Sequence, residues 1–199
     1  MRVLWATFAL VVVDQITKLV VKYNMEIGES IPVVGRLFRF TFTENPGMAF
    51  GLTVGSKLFL TLFSIVATVL IFVYLRRVAW APLGYRTALA LVLGGALGNV
   101  IDRVFYGMAF GECPPSPPDS YRLFYGCVVD FIHLDVYQGQ VFGRNVALFP
   151  IGNIADVAII VGVVLILLTQ GRFHEAVQAR EAPEPVAVPE SPSEPAAEA

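Results

Sequence analysis

The chain has 199 residues, 56% of them hydrophobic and only 15% charged, with a mean hydropathy of +0.67. Soluble domains carry about a quarter charged residues, so most of this chain belongs in a bilayer. A net charge of −2 gives no basic field for nucleic acid. Two cysteines and two histidines are too few for a zinc cluster or a disulfide-built scaffold. Any chemistry must come from Asp, Asn, Arg, Lys or a hydroxyl.

Four apolar runs can cross a hydrocarbon core roughly 30 Å thick: residues 3–21, 57–75, 87–106 and 149–169. Asp14, Gln15 and Lys18 interrupt the first, and no small-x-small cleavage site follows. It is read as a retained helix rather than a cleavable leader. In the first connecting segment, 23–56, Leu37-Phe38-Arg39-Phe40-Thr41-Phe42-Thr43 alternates as a half-buried strand would. Asn45-Pro46-Gly47 then marks a turn. Span two carries Thr61, Ser64 and Thr68 at helical spacing, and span three Gly94-x-x-x-Gly98; both read as packing faces without a chemical role.

The link between spans two and three holds Arg76, Arg77 and Arg86 and no acid, while Arg172 and Arg180 follow span four. Basic residues in short connections resist translocation, so both termini are expected in the cytoplasm, with 23–56 and 107–148 outside. The second outer segment contains Cys113-Pro114-Pro115-Ser116-Pro117-Pro118, which suits neither helix nor central strand. Cys113 and Cys127 both fall there, where a disulfide can form. Residues 171–199 are expected as a disordered acidic cytoplasmic tail, being Pro, Ala and Glu with five acids and no base from Glu181 onward.

Ionisable groups in a span cost roughly 2.5–3.5 kcal/mol each on insertion scales, so their positions carry information. At about 1.5 Å per residue, Asp14 lies roughly 12 Å from the outer end of its span, Asn99 about 10 Å, Arg103 about 5 Å and Asp156 about 9 Å. All fall in the outer half, which suggests a polar pocket open to one face rather than a conduit. Asp14 and Lys18 are i, i+4, so they can pair, and their bland reading is mutual neutralisation. Asn99, Asp102 and Arg103 share one side of span three, where Arg103 could instead snorkel. Asn153 and Asp156 are i, i+3 in a helix expected to open at Phe149-Pro150. Asp130, in Val128-Val129-Asp130-Phe131, reads as a surface carboxylate unless it meets Asp156. Two carboxylates within reach share one proton, which suits acid and base work on a peptide bond. There is no His-Glu-x-x-His, Gly-x-Ser-Gly or Gly-x-Gly-Asp.

At this point the chain resembles the lipoprotein signal peptidase (signal peptidase II) family. The matching stretches, in order, are Asp14-Gln15-Ile16-Thr17-Lys18, Asn45-Pro46-Gly47-Met48-Ala49-Phe50, Gly98-Asn99-Val100-Ile101-Asp102-Arg103, Val129-Asp130-Phe131 and Asn153-Ile154-Ala155-Asp156. The resemblance covers about residues 1–170, taken as a single membrane peptidase domain. It implies an all-α membrane protein of four transmembrane helices, with a small extracytoplasmic β-sheet between helices 1 and 2 that cradles the substrate.

The implied activity is that of an aspartic endopeptidase of the bacterial cytoplasmic membrane, cutting prolipoproteins just before a diacylglyceryl-modified cysteine. By similarity Asp130 and Asp156 are the catalytic pair. Asp14, Lys18, Asn45, Asn99, Arg103 and Asn153 support the pocket, with Gly47, Asp102 and Ala155 as further supporting positions. No metal or organic cofactor is implied; the partners are the lipidated precursor and membrane lipid, with the chain itself monomeric. The chain departs from the family in having Gly152 where Phe is usual, in a longer segment between Arg103 and Asp130, and in its acidic tail. The rival readings are a small proton- or ion-coupled transporter, which predicts acids spread through the membrane depth, and a non-catalytic scaffold for lipidated partners.

Overall fold

The computed structural model describes residues 2–49, 52–53, 56–111, 113, 123–136, 138–141, 144–147 and 149–182. Four helical stretches are long and apolar enough to span a membrane. They are α1 (Val3–Asn24), α2 (Lys57–Arg77), a third built from α3 (Leu83–Ile101), a π-helical turn (Asp102–Tyr106) and α4 (Gly107–Phe110), and α5 (Ile154–Glu181). Large apolar side chains such as Phe8, Leu70 and Leu168 point outward, as lipid contact demands and water would not tolerate.

Helix α3 is central and packs on α1, α2 and α5. Small residues allow this close approach. A Cβ on Gly95 would collide with the Ala155 carbonyl, and one on Gly98 would meet Asp14 Oδ2 at 2.5 Å. The Gly94–Gly98 stripe therefore lies against α1, Gly94 facing Leu10.

Strands β1 (Ser30–Val34) and β2 (Phe38–Asn45) come from between the first two helices, and β5 (Val128–Leu134) completes an antiparallel sheet of order β1-β2-β5. Register pairs Thr43 with Asp130 and Asn45 with Val128, with an irregularity between Phe40 and Thr43. Two short hairpins, β3 (Met48–Ala49) with β4 (Leu52–Thr53) and β6 (Gln138–Val141) with β7 (Arg144–Ala147), complete the described strands. Val21, Phe42, Tyr106, Val129 and Phe131 form a buried cluster that seats the sheet on α1 and the third span.

Three boundaries differ from expectation. The last helix opens at Ile154, not at Phe149-Pro150. Asn153 caps it, and Gly152 is already engaged in backbone bonds with Phe131 and Ile132. Asp156 therefore lies in the first turn of the helix rather than about 9 Å along it. The same helix continues to Glu181, so residues 171–181 are helical rather than part of a disordered tail. Phe173 explains this, stacking on Tyr85 at 4.2 Å and on Trp80 at 5.7 Å. The third span starts at Leu83 and ends at Phe110, longer than residues 87–106. The Pro-rich stretch 114–118 and residues 183–199 lie outside the described residues.

Candidate active site

The polar residues of the spans gather at the end of the bundle that carries the sheet. On α1, Lys18 Nζ lies 2.8 Å from Asp14 Oδ2 and 2.8 Å from Asp102 Oδ2, all three side chains being fully buried. The i, i+4 pair is thus present, but mutual neutralisation does not describe it, because one ammonium serves two carboxylates. Gln15 Nε2 donates to Asp102 at 2.9 Å and Asp14 at 3.2 Å, and accepts at Oε1 from the Tyr106 hydroxyl at 3.1 Å. Neither Gln15 nor Tyr106 was assigned a role from sequence. Gln15 could have been suspected from its place between the two charged residues of its motif, whereas Tyr106 carries no sequence signal.

This ionic cluster is wired to the site through amides. Lys18 Nζ donates to Asn99 Oδ1 at 2.9 Å, so the Asn99 amide must turn its Nδ2 outward, where it donates to Asp156 Oδ1 at 2.8 Å. Asn153 reaches both carboxylates. Its Nδ2 donates to Asp130 Oδ1 at 2.7 Å, and its backbone N–H donates to Asp156 Oδ2 at 3.1 Å. The Asp156 N–H returns a bond to Asn153 Oδ1 at 3.0 Å, closing a capping box at the start of α5. Another first-turn N–H of α5, that of Ala155, donates to Asp14 Oδ1 at 3.0 Å. The helix start thus satisfies its orphan donors with site residues.

Asp130 is almost fully buried on β5 and is not a surface carboxylate. Its Oδ2 accepts from Asn45 Nδ2 at 3.1 Å. Burial, reinforced by the charge of Asp156, pushes the Asp130 carboxyl up to about 7, against the pull of the Asn45 and Asn153 amides. Asp102, beyond its bond to Lys18, accepts from the Val129 N–H at 3.3 Å and so braces the residue next to Asp130.

Arg103 stands on the π-helical turn, a feature that often marks functional sites. Its guanidinium lies within electrostatic reach of Asp130, Asp102 and Asp156. Nη1 is buried and has no hydrogen-bond partner among the described residues. This is an inward-facing cation rather than one snorkelling to an interface.

Gly47 lies beside it. Its N–H donates to Asn45 Oδ1 at 2.9 Å, and its φ is +107°. A Cβ there would meet Leu60 Cδ1 at 2.6 Å and Arg103 Nη1 at 3.1 Å. Gly47→Ala should cost about 1–2 kcal/mol for the left-handed backbone and displace Arg103. Thermal unfolding and turnover of the purified variant should both fall; unchanged values would show that the turn relaxes freely.

Outside this group, Cys113 and Cys127 form a disulfide. They also make up, with Glu44, a cluster of metal-ligand type, but both sulfurs are committed to each other. Glu44 is ion-paired with Lys22.

Comparison with known proteins agrees with this geometry. A family model described as Signal peptidase (SPase) II matches residues 6–171. The lipoprotein signal peptidase of Amoebophilus asiaticus (strain 5a2) is 38% identical over 194 residues, covering 87% of this chain and 80% of that protein. That of Pelodictyon phaeoclathratiforme (strain DSM 5477 / BU-1) is 36% identical, covering 92% and 96%. A bacterial membrane enzyme solved by the in meso method at 2.3 Å resolution superposes with a TM-score of 0.65 at 28% identity, covering 92% of this chain and 94% of that one. With its five motifs meeting at one end of a four-span bundle and the family model matching from the first span to the last, the chain belongs to the signal peptidase II family.

Proposed function

We propose that this chain cleaves prolipoproteins by an aspartic mechanism, with Asp130 and Asp156 as the catalytic pair. Family membership makes it a multi-pass inner-membrane peptidase that removes signal peptides from prolipoproteins. The observation that carries the mechanism is Asn153, which bonds Asp130 through its side chain and Asp156 through its backbone. Two acids held by one residue are placed to act on one substrate bond.

Their environments divide the labour. Asp156 accepts from the Asn99 amide and from the Asn153 N–H at the start of α5, which fix its orientation. Asp130 is buried and raised to about 7. Asp156 therefore takes a proton from the attacking water while Asp130 gives its proton to the carbonyl oxygen, producing a tetrahedral diol. Collapse returns a proton to the amide nitrogen, and the carbon–nitrogen bond breaks. Arg103 Nη1, buried and without a hydrogen-bond partner among the described residues, supplies a donor for the substrate backbone. The cationic ends at Arg76, Arg77, Arg172 and Arg180 face the cytoplasm, so the pair lies under the outer leaflet, at the depth of a lipid-modified cysteine. Clustering at one end is the opposite of what a through-membrane proton path requires.

The test is a time course of the purified chain on a diacylglyceryl-modified prolipoprotein beside its unlipidated form. Cleavage of the first alone is expected; failure on both refutes the reading. Because Asp130 must hold its proton, turnover should fall as pH rises through about 7. Stability should follow the same group. The folded chain binds this proton more tightly than the unfolded chain, whose carboxyl titrates near 3.8. Its contribution is full below that value and is lost as pH rises through 7. The melting temperature should therefore decline from pH 4 to 8, and Asp130→Asn should flatten the slope; an unaltered slope would show that another group is responsible.

A further inference from the structure

Lys57 stands at the first position of α2 with only 7% of its surface exposed. An ammonium there is unfavourable twice over. It is desolvated, and the N-terminal end of a helix carries partial positive charge. A neutral side chain of similar length would avoid both penalties.

What Lys57 does in return is hold backbone. Its Nζ donates to the Cys113 carbonyl and, at 2.9 Å, to the Tyr125 carbonyl. Those residues lie near the two ends of the segment closed by the Cys113–Cys127 disulfide. One turn along α2, the fully buried Thr61 hydroxyl donates to the Phe124 carbonyl at 3.0 Å. Phe124 has φ +68°, a conformation that an L-residue keeps only where its surroundings hold it.

The held segment leads directly into the site. The Phe124 N–H donates to the Val104 carbonyl at 3.0 Å, and the Gly126 N–H to the Arg103 carbonyl at 2.9 Å. A Cβ on Gly126 would strike the Asp102 carbonyl, so this chain rests on the π-helical turn. Two residues further on, Val128 enters register opposite Asn45, and Asp130 follows. Any shift of Tyr125 is therefore passed to the backbone of Arg103 on one side and to Asp130 on the other.

We propose that Lys57 is a positioning residue of this peptidase, fastening the base of β5 to the head of α2 so that Asp130 and Arg103 keep their places. The proposal rests on Asp130 and Asp156 being the working pair. Lys57 touches neither reacting group, so it governs the rate of the chemical step rather than capture of the substrate.

The experiment uses the full chain in lipid nanodiscs with a diacylglyceryl-modified prolipoprotein. Lys57→Met should lower kcat roughly tenfold to a hundredfold, the range that misplacement of a catalytic group produces, and leave KM within about twofold. Amide hydrogen exchange should quicken over residues 124–130 while the four spans keep their protection. Lys57→Gln, which retains two N–H donors, should lie between wild type and Met. An unchanged kcat overturns the proposal, as does a loss accompanied by faster exchange throughout the spans, or a Gln variant no better than Met. Failure of the wild-type chain to cleave this substrate would instead refute the peptidase reading itself.

Discussion

Asp130→Asn and Asp156→Asn should each lower turnover of a diacylglyceryl-modified prolipoprotein by roughly 10³-fold, the scale on which a positioned acid or base contributes. Both changes keep the size of the side chain and an oxygen for the Asn153 bonds, so the bundle and substrate binding should survive. The double variant should be no worse than either single one, since in the proposed mechanism neither acid can complete the step without the other. Single-turnover cleavage with saturating enzyme measures this without interference from product release. Either variant turning over at the wild-type rate would remove that residue from the chemistry.

The second large effect is expected at Lys18, and it is a loss of fold as well as of rate. Lys18→Met leaves Asp14 and Asp102 fully buried without their shared cation, which should cost about 3–5 kcal/mol. It also takes a donor from Asn99 Oδ1, and with it one restraint that turns the Asn99 amide toward Asp156. Adding Asp102→Asn to Lys18→Met removes one unpaired charge and should recover part of the stability. It should not recover the activity in full, because the Asn99 amide still lacks its Lys18 donor and keeps only the longer bond from Asn153 at 3.1 Å. Thermal unfolding in detergent separates the two effects. A Lys18→Met variant as stable as wild type would show that the Lys18 ion pairs do not hold the bundle together.

Much of this site was legible where partners lie close in sequence. Asp14 with Lys18 and Asn153 with Asp156 follow from helical spacing alone, and the alternating Phe/Thr run announces β2. The less legible parts depend on distant partners. Nothing local in Val128–Leu134 says that it completes the sheet, since its partner strand lies some ninety residues earlier. The opening of the last helix was misjudged because a proline-first rule competed with an asparagine cap. The backbone of Gly152, already bonded to Ile132, decided for the cap. Lys57 looks in the sequence like a boundary residue of an apolar run; its burial appears only when Cys113 and Tyr125 come to lie over it.

The order β1-β2-β5 has a consequence for how the enzyme comes into being. A nascent chain that has threaded three spans holds a β2 whose far edge is bare until β5 joins it, and the acid borne on β5, bonded to Asn45 alone, lacks its second amide and its companion carboxylate until the final helix supplies Asn153 and Asp156. Catalytic competence is thus the last thing this polypeptide acquires during biosynthesis. A half-made copy at the insertion machinery is inert toward the precursors passing beside it.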